Sequence, residues 1–509
     1  MTWRAKAMRS CLAALWLLVS PACAGPQDDA GVRPSALAGS WYLGDAAQLR
    51  NRLELYLERA GTPELDGRPL ALISPHAGYR YSGQAAAYGF KALRGRGIKR
   101  VVIMGLSHSE GYDGASVPGF THYETPLGKV KVDRAAIDKL RKHPLFSTRP
   151  SVHRREHSLE IQLPFLQVVL DKGFSIVPVA FGNLAPKDYP EAARAIREIL
   201  DDETVIVASS DFMHYGSRFG YMPFKKEAAK NIAAYDMQAV DAILAKDFKA
   251  FYARQQKTGN TICGRVPIGV LLHLLGEDAH GTLARYYRSG ELTGQWDGSV
   301  SYVSAVFTAG KKDAKFAGAE RDEREKAMLS PAEQERLLIL ARSTVDSYVR
   351  RKQVPDTKVL SAKVKAGLEK TRGVFVTLKK HGQLRGCIGS IVGREPLVDG
   401  VVRNAVNACS FDHRFQPVTP DELKDIELEV SVLSPLRKVS GYDRIIPGWH
   451  GVLLTKGRRQ AVFLPQVAME FNWEIEETLT QLARKAGLPS DGWKEGAEFE
   501  VFEAQIIPE

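Results

Sequence analysis

The sequence predicts two domains, an α/β domain with a largely parallel sheet flanked by helices and then an α+β domain, on three observations. Four short runs rich in Val and Ile, Leu70 to Ile73, Val101 to Met104, Ser175 to Ala180 and Val205 to Ala208, alternate with helical patterns such as Ser158 to Leu170 and Glu227 to Leu244. Apolar runs without polar alternation suit strands buried on both faces, and the intervening helices supply the crossovers of a parallel sheet. Beyond residue 330 the pattern changes to alternating Val374, Val376 and Leu378, a His381-Gly382 turn and a second arm from Leu384 to Ile391, which together describe a hairpin. Between the two patterns, Lys311 to Lys326 is dense in charge and poor in large apolar residues, as a linker is.

Bulk composition is consistent with this division. A chain of 509 residues is too long for one ordinary core, and 44% hydrophobic with 25% charged residues argues against both disorder and a membrane bundle. The formal charge is +11, but Arg4, Lys6 and Arg9 contribute three of those charges from a segment that reads as a signal peptide. The remaining cations are dispersed through both halves, so no nucleic-acid partner is expected.

At the N-terminus those cations precede an apolar run from Cys11 to Val19 and the small residues Ala22 and Ala24. The run is too short to span a bilayer. The expectation is an exported, periplasmic or envelope-associated protein that keeps no transmembrane span once residues 1–24 are removed. Cys23 offers lipid attachment as one alternative and an uncut anchor is another. After cleavage Cys263, Cys387 and Cys409 remain, too few and too scattered for a disulfide framework.

The second domain opens on a helix whose Ser330, Pro331 and Glu333 supply an N-cap, a first-turn proline and a capping-box acid. Leu337, Leu338, Ala341, Val345, Tyr348 and Val349 recur at helical spacing behind them. Further strands are expected over Ile426 to Leu433, Gly451 to Thr455, Ala461 to Leu464 and Phe499 to Ile507, and helices over Pro396 to Cys409 and Glu474 to Ala486.

Three histidines of the first domain share one topological address. His76 follows Leu72-Ile73, His108 follows Val101 to Met104, and His214 follows Val205 to Ala208. Loops beyond the carboxyl ends of parallel strands line the ligand crevice of open α/β sheets, so the three can converge. Two imidazoles and one anionic side chain make a transition-metal site with open positions. Cys263, just ahead of the helical run Ile268 to Leu275, is the candidate anion, since a helix N-terminus favours a thiolate; a small buried hydrophobe is its plain alternative. Asp211 suits orienting an imidazole or moving a proton, and equally suits capping a following helix. Glu156, His157 and Glu160 read as the solvated face of an amphipathic helix.

Around these residues the chain resembles the Memo family, whose fold is similar to the class III extradiol dioxygenases that cleave catechols. The likeness covers residues 34–308 and rests on SPHAGYRYSG at 74–83, EHSLEIQLP at 156–164, SSDFMHYG at 209–216 and TICGRVP at 261–267. It implies His76, His108 and Cys263 as metal ligands, with Asp211 and His214 beside them as catalytic groups. Extradiol dioxygenases use two histidines and a carboxylate, so a cysteine here changes the chemistry an iron would support. LRGCIGS at 384–390 and FDHRF at 411–415 resemble the AMMECR1 family, over residues 329–507 of a second domain taken as 329–509, leaving 309–328 as the linker. There Cys387 reads as a packing residue and Arg385 as one end of an ion pair. A chain joining both families resembles the fused B and A components of the AmmeMemoRadiSam system, which implies a radical SAM partner.

Two functions follow. One is a metal-dependent, oxygen-using redox enzyme with iron, or alternatively copper or zinc, acting on a small aromatic molecule or a peptide aromatic side chain. The other is a non-enzymatic module that binds a metal or a peptide alongside the radical SAM protein. Cys263 as nucleophile with His214 as base, a hydrolase, is a third.

Overall fold

The computed structural model describes residues 31–61, 65, 67–310, 329–355 and 368–509. The expected signal peptide and charged linker lie outside them, and no described helix is long and apolar enough to cross a membrane.

Strand Arg100–Leu106 runs parallel to Ser175–Phe181 on one side and Thr204–Ser209 on the other, and Pro69–Ser74 continues the parallel set. These four are the predicted strands, each extended by one to three residues. Apart from Leu70, which is partly exposed, their interior positions are buried, as the uninterrupted apolar runs require. Antiparallel strands flank them: Gly298–Ala309 pairs with Pro69–Ser74 and carries Ala279–Arg288 and the short His214–Gly216 on its other positions. Helices Ala46–Arg59, Tyr79–Lys91 and Leu163–Val169 pack together, and Tyr189–Arg197, Phe248–Thr258 and Arg265–Leu274 form another group. The helix expected over 158–170 is divided into His157–Glu160 and Leu163–Val169, with Pro164, which lacks an N–H, in the first turn of the second piece.

The register of the parallel strands fixes the site. Ser74 lies beside Ser209, and Met104 beside Ala208, so the chain leaves the sheet at neighbouring points before His76, His108 and Asp211.

Among the described residues the second domain contains two four-stranded antiparallel sheets. In the first, strands Val374–Lys380 and Gln383–Ser390 form the predicted hairpin, and both turn residues, His381 and Gly382, have positive φ, as a primed two-residue turn demands. Helices Pro331–Arg351, with its capping box in place, and Leu397–Ser410 pack on this sheet. The strand expected over Phe499 to Ile507 is divided instead. Glu498–Phe502 belongs to one sheet and Ala504–Pro508 to the other, because Glu503 turns aside to exchange hydrogen bonds with Ser434. Cys387 and Cys409 are free thiols. Arg385 is ion-paired, gripping Glu422 through two nitrogens.

The two domains touch through polar and aromatic contacts. Arg59 pairs with Glu503 at 2.6 Å and covers the ring of Trp449, which stands edge-on to Tyr287. Asn51 donates to the Asp443 carbonyl, and Arg80 reaches both Asn472 and Glu474.

Candidate metal centre

His76 leaves the sheet two residues after Ser74, and Asp211 two residues after the registered Ser209. Asp211 is buried and its Oδ1 accepts the backbone N–H of His76 at 2.8 Å and of Ala77 at 3.3 Å. No helix follows it to be capped; the next element is the strand His214–Gly216. Burial holds the Asp211 carboxyl above its ordinary range, against the opposing influence of His214.

Hydrogen-bond partners settle two tautomers. Ser209 Oγ donates to the Ser158 carbonyl at 2.7 Å, so it can only accept from His76 Nδ1, 2.9 Å away. His108 Nδ1 lies 2.8 Å from Glu156 Oε1 and donates to that carboxylate. In both rings the proton sits on Nδ1 and the Nε2 lone pair is left for a ligand. Burial, then the neighbouring imidazole of His108, holds His76 well below its usual pKa, so it stays neutral.

Glu156 is buried and accepts three N–H groups: the ring and backbone of His108 and the backbone of Ser158. Burial alone would raise its pKa; the His108 hydrogen bond and the nearby imidazoles overcome that and bring it down to about 2. His157 packs against both of the other rings, 4.2 Å from His108 and 5.2 Å from His76 centroid to centroid. One nitrogen from each of His76, His108 and His157 falls within 4.8 Å of the others, a trio able to hold an ion. Burial, followed by His76, lowers the pKa of His157 to about 3.

The reading of 156–160 as a solvated face is therefore corrected. Glu156 and Glu160 are both essentially inaccessible, and His157 belongs to the cluster. The sequence carried a signal for this, since Leu159, Ile161, Leu163, Phe165 and Leu166 leave no continuous polar side to the segment.

Cys263 sits one residue before Gly264, the N-cap of helix Arg265–Leu274. Its Sγ lies 3.0 Å from His76 Nε2 and accepts from the Asp211 backbone N–H at 3.1 Å. It is outside the three-imidazole group. The expected stabilisation of a thiolate by the helix is overridden: burial, then the Asp211 carboxylate, pushes the thiol well up. His214 stands apart from the sulfur's contacts, its Nδ1 facing two carbonyl oxygens, Phe212 at 2.9 Å and Thr261 at 3.2 Å. With only acceptors around it Nδ1 carries the proton, so Nε2 is again the basic nitrogen.

His76, His108, His157, Asp211 and His214 all border a cleft of about 840 Å³. Its walls include Trp41, Tyr42, Tyr79, Tyr81 and Tyr302, and its far side is completed by Asn472 and Glu474 of the second domain.

Known proteins match both halves of the chain. Residues 33–306 match the family model described as Memo-like protein, and residues 338–507 match that of AMMECR1. The chain is 36% identical over 288 residues to "Protein memo-1 homolog" of Caenorhabditis elegans, covering 54% of this chain and 82% of that one. It is 32% identical over 289 residues to a "MEMO1 family protein" of Thermococcus onnurineus, covering 54% and 99%. A solved structure of an uncharacterized Pyrococcus horikoshii protein is 32% identical, covering 35% of this chain and 92% of that one, with a TM-score of 0.33.

Proposed function

We propose, from the premise that this chain belongs to the Memo-like family, that its first domain is a metal-dependent redox enzyme of the extradiol-dioxygenase-like class. Iron is the metal favoured, with copper and zinc as alternatives, and His76, His108 and Cys263 are its ligands. The observation that carries this reading is the pair of imidazoles whose Nδ1 atoms are held by Ser209 and Glu156, with the Cys263 sulfur 3.0 Å from Nε2 of His76. His157 is the alternative third donor.

A bound iron or copper would supply a redox centre with open positions for oxygen and substrate. The chain's own residues do the rest. Ser209 and Glu156 fix ring orientation, and Asp211 positions the His76 loop through two backbone N–H groups. His214 offers a basic Nε2 on a ring bordering the cleft, suited to accept the proton of a phenolic hydroxyl. The aromatic walls favour a small aromatic molecule or a peptide aromatic side chain.

A second reading, a metal- or peptide-binding module without turnover, working with a radical SAM partner, is favoured by one observation: the cleft extends well past the histidines to the second domain. Oxygen uptake by the iron-loaded full chain in the presence of a catechol separates the two. Consumption that is lost in His214→Ala supports the enzyme, and tight ligand binding without consumption supports the module.

A further inference from the structure

Arg52 borders the same cleft as the histidines, and it is an unusual cation. It lies on helix Ala46–Arg59 with a relative exposure of only 9%, close to the Tyr56 hydroxyl. Among the described residues no carboxylate lies within ion-pair distance of it. A buried guanidinium without a counter-ion carries a desolvation cost that an arriving anion would offset.

The other charges of the cleft are already committed. Arg80 is held by Glu474 and by Asn472 Oδ1. Arg218 is exposed, lies over the Phe219 ring and donates to the Gly298 carbonyl. Asp211 is occupied by the N–H groups of His76 and Ala77. Arg52 is left as the buried charge facing open volume, beside Tyr42, Tyr56 and Tyr79, with the metal-ligand candidate His76 on the same cleft.

We propose that Arg52 is the anion anchor of this cleft and that the ligand it selects is an aromatic acid, its ring held between the aromatic walls and its carboxylate paired with the guanidinium. This deepens the metal-centre reading, since it names the substrate class of the same site, but Arg52 contacts none of the proposed metal ligands and its role survives removal of the ion. A planar guanidinium suits a carboxylate through two parallel N–H···O bonds, and a charge-assisted bond of this kind contributes enough to discriminate about tenfold or more between acid and neutral ring.

The test uses the full chain and two probes, 3,4-dihydroxybenzoate and catechol, titrated calorimetrically with and without iron. The wild type is expected to bind the acid at least about tenfold more tightly than catechol in both states. Arg52→Gln should bring that ratio close to one, and Arg52→Lys should restore part of it. Unchanged melting temperatures for both variants show that the fold is kept; should Arg52→Gln unfold, the Arg52→Lys ratio decides alone, with an intermediate value expected. Equal affinities in the wild type, no measurable binding of the acid, or a ratio untouched by either substitution would overturn the proposal. Preference for the acid in iron-free protein, together with failure to bind iron at all, would sink the metal centre and leave the anchor standing.

Discussion

Glu156 grips His108 at two points: Oε1 accepts the ring Nδ1–H and Oε2 accepts the backbone N–H of the same residue, each at 2.8 Å. Both the tautomer and the placement of the ring thus depend on one buried carboxylate. Glu156→Gln presents an amide N–H to one of those donors and removes the charge. Metal affinity should fall by about 10- to 100-fold with little loss of secondary structure, measured by competition with a chromophoric chelator. An affinity unchanged within twofold would show that this carboxylate does not tune the ring.

Glu160 anchors a different structure four residues on. Its oxygens accept from Arg33, the Ser35 and Tyr42 hydroxyls and the backbone N–H groups of Ala36 and Leu37. Glu160→Gln should destabilise the first domain by about 3–5 kcal/mol, because it leaves the buried Arg33 without its counter-ion. Replacing both as Arg33→Met with Glu160→Leu should not restore stability, since Ala36 and Leu37 then lose their acceptor. Recovery to wild-type stability in urea would mean that the ion pair alone matters.

Asp236 gives a pH signature away from the histidines. Burial raises its carboxyl to about 6, with hydrogen bonds from Tyr286 and the Met213 N–H only partly opposing. The folded chain therefore holds this proton more tightly than the unfolded chain. Its contribution is complete below about pH 4 and is lost as pH rises through 6, on the order of 2–3 kcal/mol in all. Asp236→Asn should flatten the stability profile between about pH 4 and 6. Parallel profiles for wild type and variant would contradict this assignment.

The Arg80 to Glu474 contact predicts a wall shared between domains. In metal-stripped full-length protein, Arg80→Ala should raise the rate at which diethylpyrocarbonate modifies His108 and His157 several-fold. His122, His143 and His280, outside the cleft, act as internal controls. An equal rise at all five positions would indicate general loosening instead.

Much of this architecture was legible from residues alone. The four parallel strands follow from two-sided burial of Val- and Ile-rich runs, and the placement of His76, His108 and His214 follows from where those strands end. The Ser330 capping box and the His381-Gly382 turn are local chemistry, decided within a few residues, and both stand as expected. What local pattern cannot show is which polar groups the tertiary structure buries. Glu156 and His157 read as solvated, but the loop beyond Leu106 brings His108 against them. Arg52 lies on an amphipathic helix like any surface arginine, and only the cleft gives it a role. The division at Glu503 escaped for the same reason, because apolar alternation continues across it while its partners, Ser434 and Arg59, are far away in sequence.

Metal content tests the central claim most directly. Full-length protein equilibrated with ferrous iron and desalted should carry one ion per chain, His76→Ala and Cys263→Ser should each lose it, and His157→Ala should keep it. Stoichiometric iron in both the His76 and Cys263 variants, with folding intact, would contradict the proposed centre.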